Sequence, residues 1–75
     1  MVEIDPAVVA RLDRDDSVDV IVTFTELPDE FASVAVKHVF PAIGAAALRI
    51  DRSAFERLRV DPSVVRVEFD GEVTI

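Results

Sequence analysis

Residues 18–25 have the sequence VDVIVTFT, in which successive side chains fall alternately on two faces. One of these faces is entirely apolar and consists of Val18, Val20, Val22 and Phe24. A period of two residues with one apolar face is typical of a half-buried β-strand. Valine and isoleucine together number 19 against four leucines, which also favours a sheet. We therefore expect a strand here, with its apolar face toward the core.

Upstream of this strand, an N-terminal extension at residues 1–17 is predicted to contain a short helix. Asp5 is placed to cap the helix, and Pro6 occupies its first position. The charged run at residues 13–16 ends it. Its apolar stripe is expected to consist of Val8, Val9 and Leu12.

Downstream, the first predicted element is a helix that begins at residues 27–30, where acidic residues favour the helix dipole. Its apolar side would be Phe31, Val34 and Ala35, although residues 34–40 also have a strand pattern. A turn at residues 41–44 and a strand at residues 45–50 follow. Asp51 can cap the next helix, and Ser53 with Glu56 offers a capping-box alternative. Asp61-Pro62 ends that helix, and residues 64–69 form the last strand.

This order predicts an α+β fold, the ferredoxin-like βαββαβ arrangement, with a four-stranded antiparallel sheet and two helices on one of its faces. A chain of 75 residues forms one domain, residues 1–75, with a core at residues 18–70 and a tail at residues 71–75. The other sheet face is left uncovered, either as a partner surface or as an ordinary solvated face. Its residues would be Ile21, Thr23, Ala45, Ala47, Arg49, Val64, Arg66 and Glu68.

Composition excludes several functions. Fifteen acidic against eight basic residues give a net charge of −7, so a nucleic-acid partner is not expected. No apolar run approaches about 18 residues, so no membrane span is expected. Cysteine is absent, and His38 is the only histidine, so no metal site or other cofactor is expected. Residues 13–17 weakly resemble a calcium loop, but Val18 and Phe24 stand where such a loop needs glycine and glutamate.

Catalytic groups are equally scarce. Serine hydrolysis needs a nucleophile, a base and an orienting group within hydrogen-bond reach, and His38 is the only candidate base. The serines are interpreted as loop and cap residues. They are Ser17, Ser33, Ser53 and Ser63. We therefore expect that the chain is not an enzyme.

Glu68 and Asp70 are two residues apart at a strand end, so both side chains point to one face. Two carboxylates held in this way can accept hydrogen bonds from the free backbone N–H groups at the start of a partner's helix. The alternative is a pair of solvated acids near the C-terminus.

Several stretches together resemble the propeptide domain of subtilisin-like serine proteases, a family that also contains free-standing inhibitors of these enzymes. The resemblance covers about residues 18–75, and no single motif in it is diagnostic. The matching stretches are DVIVTF at 19–24, HVF at 38–40, GAAAL at 44–48, SAFERLR at 53–59 and DPSVVRVEFD at 61–70. The chain departs from many relatives at Ala45-Ala46, where they have an aromatic residue after the turn glycine.

The resemblance implies that the partner is a subtilisin-like serine protease and that the domain is a monomer when free. It implies that the sheet face packs on two protease helices, through residues that include Ile21, Thr23, Arg49, Val64 and Arg66. Glu68 and Asp70 would cap the N-termini of those helices. The tail would enter the substrate cleft, with Ile75 in the first specificity pocket, and it consists of Gly71, Glu72, Val73, Thr74 and Ile75. The domain would act both as an inhibitor and as a folding template.

Two questions stay open at the level of sequence. No signal peptide is expected at the N-terminus, which has neither a basic start nor an apolar region. We expect the chain to be extracellular if it is an excised propeptide and cytoplasmic if it is a free-standing inhibitor. The alternative function is a ferredoxin-like small-molecule-sensing or dimerisation module. That module would have a ligand site between a helix and a strand, and it would not need the tail.

Overall fold

The structure is a computed structural model, and it describes residues 2–29, 31 and 35–71. The α+β class is confirmed, and the strands form one five-stranded sheet in the order β1-β5-β2-β4-β3. The elements are β1 (Glu3–Ile4), α1 (Pro6–Leu12), β2 (Ser17–Phe24), β3 (Ala35–Phe40), a 3-10 helix (Pro41–Ile43), β4 (Ala45–Asp51), α2 (Arg52–Leu58) and β5 (Val64–Phe69). The expectation of four antiparallel strands is wrong, because β1 adds a fifth strand that is parallel to β5.

The N-terminal strand β1 is short and pairs with the far end of the chain. Glu3 lies opposite Arg66 and Ile4 opposite Val67. The Asp5 backbone N–H then donates to the Val67 carbonyl oxygen at 2.9 Å, which extends the pairing by one bond. Val2 and Ile4 pack against the core. The N-terminal extension is therefore part of the sheet as well as a helix.

Both helices begin at the residues that the sequence predicts. The Asp5 Oδ1 accepts a hydrogen bond from the Ala7 N–H at 3.0 Å. The Asp51 Oδ1 accepts one from the Ala54 N–H at 2.8 Å, so Asp51 is the cap of α2 and the capping-box alternative is wrong. Val9 is a further correction, because it is 38% exposed while Val8 is fully buried.

The connection between β2 and β3 differs from its prediction. Leu27, Pro28, Asp29 and Phe31 are not helical, and Ala35, expected on the apolar side of a helix, begins β3. Glu30 and residues 32–34, including Val34, lie outside the described residues. Among the residues that the structure describes, the helices are α1 and α2, and none is long and apolar enough to cross a membrane.

One hydrophobic core lies between the helices and the sheet. The apolar face of β2 is buried as predicted, and the burial of this strand alternates along its whole length. Phe31 and Leu27 also pack against this core, with the Phe31 ring centroid 5.9 Å from that of Phe24. The buried cluster consists of Val8, Leu12, Val18, Val20, Val22, Phe24, Ala46, Leu48, Ile50, Ala54, Phe55, Val64 and Val67.

Val64 is buried in this core, which corrects its expected place on the uncovered face. Thr23 lies opposite Arg66, but Phe24 lies opposite Val64, so the register shifts and Val65 is the extra residue of a β-bulge. A bulge interrupts the alternation of side chains along a strand. Val64 consequently faces the core at 5% exposure, while Val65 is 40% exposed.

Candidate functional site

The candidate site is the sheet face opposite the two helices, called here the open face. Since the apolar side of β2 faces the core, Ile21 and Thr23 point to the open face, where they are half-buried. The register places Arg66 opposite Thr23, and it places Glu68 opposite Ile21. Arg49 lies opposite Asp19 on the other side of β2. Of the sheet-face residues that the sequence predicted, Val64 is thus the only one on the core side.

Two alanines of β4 form the floor of the open face. Ala45 and Ala47 lie opposite Thr23 and Ile21, yet they are only 1% and 6% exposed. On their other side they pair with Phe40 and His38 of β3, whose rings contact each other edge to face at 4.5 Å between centroids. A methyl group between larger neighbours lies low, so β4 is the bottom of a shallow groove.

A cluster of charged side chains closes one end of this groove. The Arg49 Nε donates to the Asp19 Oδ1 at 2.9 Å, and the Lys37 Nζ lies 3.4 Å from the Asp19 Oδ2. The hydrogen bond from Arg49 holds the pKa of Asp19 below its usual value; partial burial opposes this shift and Lys37 adds to it. Lys37 also reaches Asp70, at 3.9 Å from its Oδ2. The cluster therefore presents positive and negative groups side by side.

The position of Lys37 results from a second bulge. Val36 lies opposite Leu48 and His38 opposite Ala47, so Lys37 is the extra residue in β3. Nothing in the local sequence indicates a bulge at this point, and Lys37 is not among the site residues that the sequence predicts. Without the bulge, regular alternation would place Lys37 and His38 on opposite faces of the sheet.

The predicted docking carboxylates both lie at the end of β5 and both have cationic neighbours. Glu68 Oε1 is 3.7 Å from the Arg66 Nη1, and the Arg66 Nε in turn is 3.2 Å from Glu3 Oε2. Asp70 has Lys37 as its neighbour, as described above. These side chains are about one third to three quarters exposed, and such pairs are worth little, about 0–1 kcal/mol each. Both carboxylates can therefore exchange their present neighbours for other donors at small cost.

The end of β5 leads directly to the tail. The Asp70 N–H donates to the Asp19 carbonyl oxygen at 2.9 Å, and Gly71 follows as an exposed residue. The rest of the predicted cleft-inserting tail, Glu72, Val73, Thr74 and Ile75, lies outside the described residues. The structure thus brings together the open face, the two carboxylates and the first residue of the tail.

A cleft of about 510 Å³ lies beside this point, between α1 and the ends of the strands. Arg11 and Asp15 border it on the helical side, and Phe69 and Gly71 border it on the side of β5. The residues that form this cleft come from five separate parts of the chain, so no local sequence pattern predicts which residues line it.

The other chemistry-bearing residues have local roles where the structure describes them. His38 is exposed on the open face beside Phe40. Ser63 donates from its hydroxyl to Asp61 Oδ1 at 2.8 Å, which stabilises the turn before β5. Within residues 2–29, 31 and 35–71, no three histidine, aspartate or glutamate side chains are grouped as a metal site would need.

Comparison of the chain with protein-family models, with curated proteins and with solved structures found no match.

Proposed function

We propose that the chain is a propeptide-type inhibitor and folding template of a subtilisin-like serine protease. One observation carries the proposal: Glu68 and Asp70 lie on the open face at the end of β5, and the chain continues from them directly into the tail. A single docking event can then place the carboxylates on the protease helices and direct the tail toward the substrate cleft.

The arrangement of strands supports the ferredoxin-like part of the proposal. Without β1, the order is β5-β2-β4-β3, and each of these neighbouring pairs is antiparallel. The helix α2 connects β4 to β5 and packs on the face that is also covered by α1. We propose a core with the ferredoxin-like strand order, in which α2 is the crossover helix that the structure describes and to which the N-terminal extension adds one edge strand and one helix.

The open face has the properties that such docking requires. Ile21 and Thr23 are half-buried, and Ala45 and Ala47 beside them are almost fully buried, so a partner would pack on the side chains that flank β4. Arg49 at one end of the groove and Arg66 on the neighbouring β5 form partly exposed ion pairs, with Asp19 and Glu3, that a protein partner can replace. Binding of this face stabilises the native protease and not its unfolded chain. The same complementary surface can therefore serve both inhibition of the protease and its folding.

Steady-state inhibition of a purified subtilisin, with a small chromogenic peptide as substrate, tests the proposal. We expect competitive inhibition by the intact chain at micromolar concentration or below. A chain that lacks residues 72–75 should keep its fold, measured by circular dichroism, and lose competitive inhibition. Full inhibition by the shortened chain would exclude insertion of the tail. No binding by the intact chain, to subtilisin or to a panel of related proteases, would overturn the proposal.

The alternative, a ligand-sensing or dimerisation module, has one structural feature in its favour. The cleft beside α1 lies between a helix and the strand ends, where the alternative expects a ligand. Sedimentation equilibrium distinguishes the two functions, since the inhibitor is expected to be a monomer when free. A dimer that keeps its mass after deletion of residues 72–75 would favour the module.

A further inference from the structure

Phe69, the last residue of β5, is bonded through its backbone to the N-terminal extension. Its N–H donates to the Asp5 Oδ2 at 3.3 Å. The other oxygen of the same carboxylate accepts from the Ala7 N–H at 3.0 Å, so Asp5 connects the start of α1 to the end of β5. The aspartate is itself fixed, because its own N–H donates to the Val67 carbonyl oxygen at 2.9 Å.

The ring of Phe69 is held by the same extension. The Arg11 Cζ lies 5.2 Å from the ring centroid, within the range of a cation–π interaction. The ring also packs partly against the core. Arg11 reaches it from the last turn of α1, about one turn after Ala7, whose N–H the Asp5 carboxylate accepts.

Gly71 lies directly against this ring. A Cβ atom at Gly71 would stand 2.6 Å from the Phe69 Cε2 and 3.2 Å from its Cδ2. Contacts this short show that the backbone of Gly71 occupies the space beside the ring edge. The direction of the chain at Gly71 therefore depends on where the Phe69 ring lies.

We propose that Asp5 and Arg11 are positioning residues for Gly71, the first residue of the C-terminal tail, and that they act through Phe69. On one side of β5, the Asp70 N–H is bonded to the Asp19 carbonyl of β2. On the other side, Asp5 and Arg11 hold the backbone and the ring of Phe69. The consequence for protease binding rests on the proposed function, whereas the effect on Gly71 belongs to the free protein.

The test uses Arg11→Met, which keeps an unbranched stem and removes the charged guanidinium group that lies over the Phe69 ring. Arg11→Lys restores a cation and should rescue the effect. Arg11 also lies 3.6 Å from Asp15, so Asp15→Asn is the control that removes this ion pair and leaves Phe69 untouched. Circular dichroism and urea unfolding establish that each variant is folded before it is compared.

In the free protein, the readout is the amide resonance of Gly71 and its ¹H–¹⁵N nuclear Overhauser effect. We expect Arg11→Met to shift the resonance and to lower the Overhauser effect, because the ring beside Gly71 is less constrained. Arg11→Lys and Asp15→Asn should resemble the original chain. An unchanged Gly71 in Arg11→Met would overturn the proposal, whatever the protease measurements give.

In the complex, the readout is a double-mutant cycle between Arg11 and the tail. An exposed cation–π interaction is worth about 0.5–1 kcal/mol, so Arg11→Met should raise the inhibition constant about two- to fivefold in the full chain. It should leave the dissociation constant of the chain without residues 72–75 unchanged. Equal losses in both chains would show a general structural role and overturn the positioning role. No binding by any of the chains would instead refute the proposed function, and the Gly71 amide would still decide this inference.

Discussion

The Nζ of Lys37 lies 3.9 Å from the Oδ2 of Asp70, close enough for an ion pair and too far for a hydrogen bond. The lone pairs of this carboxylate therefore stay available to backbone N–H groups of a partner. Lys37 also contacts Asp19, so it reduces the negative charge at this end of the open face. Among the residues that the structure describes, Lys37 therefore holds Asp70 near its position without a hydrogen bond to its carboxylate.

Replacing both docking carboxylates by their amides, Glu68→Gln with Asp70→Asn, should weaken protease binding. Each single change should cost about 1–3 kcal/mol, since a carboxylate is the stronger acceptor and its hydrogen bonds become desolvated in the complex. Inhibition constants measured for the singles and the double check this. Asp16→Asn with Glu26→Gln removes two charges from exposed loops and is the matched control. Equal affinity of the site variant and this control would contradict a helix-capping role.

The bulge in β5 makes a prediction about two adjacent valines. Val64→Ala should lower the free energy of unfolding by about 2 kcal/mol, because it removes two buried methyl groups from the core. Val65→Ala should change it by less than about 0.5 kcal/mol, because this side chain is partly exposed and lies outside the core. Urea unfolding of both variants measures the difference. The reverse order would mean that β5 alternates without a bulge.

The sequence predicts those parts of the fold that depend on neighbouring residues. The period of β2, the caps Asp5 and Asp51 and the boundaries of β5 are all local features, and the structure has them. The strand β1 is different, because it has two residues and its partner Arg66 is 63 positions away. Pairing of this kind has no local pattern by which it can be recognised.

In the candidate site as well, some residues follow from the local sequence pattern and others do not. Ile21, Thr23 and Glu68 follow from strand alternation, and they lie on the open face as expected. Val64 and Lys37 do not follow from it, because each bulge changes which side chains share a face. A bulge is determined by pairing between strands, so regular alternation mispredicts the residues beside it.

The two helix caps differ in one respect that a pair of variants can measure. Among the described residues, the Asp51 side chain accepts from the Ala54 N–H alone, whereas Asp5 caps α1 and also accepts from the Phe69 N–H. Asp51→Ala should cost about 1 kcal/mol of stability, the usual value for the loss of a cap. Asp5→Ala should cost about 2 kcal/mol, because it also leaves a half-buried backbone donor without its acceptor. Urea unfolding of the two variants under identical conditions checks this, and equal costs would show that the bond to Phe69 contributes nothing.

The ion pair between Asp19 and Arg49 should make stability depend on pH in the acid range. Its hydrogen bond holds the folded-state pKa of Asp19 below the ordinary value of 3.8. The ionised carboxylate therefore favours the folded state, and this stabilisation is complete above the unfolded-state pKa and is lost as the pH falls through the folded-state pKa. We expect Asp19→Asn to be less stable than the original chain near pH 6, and the difference should shrink toward about pH 2. Arg49→Gln should lose most of the same pH dependence, since it removes the principal cause of the pKa shift. Urea unfolding at a series of pH values measures this, and a difference that stays constant down to about pH 2 would mean that Asp19 acts through packing and not through its charge.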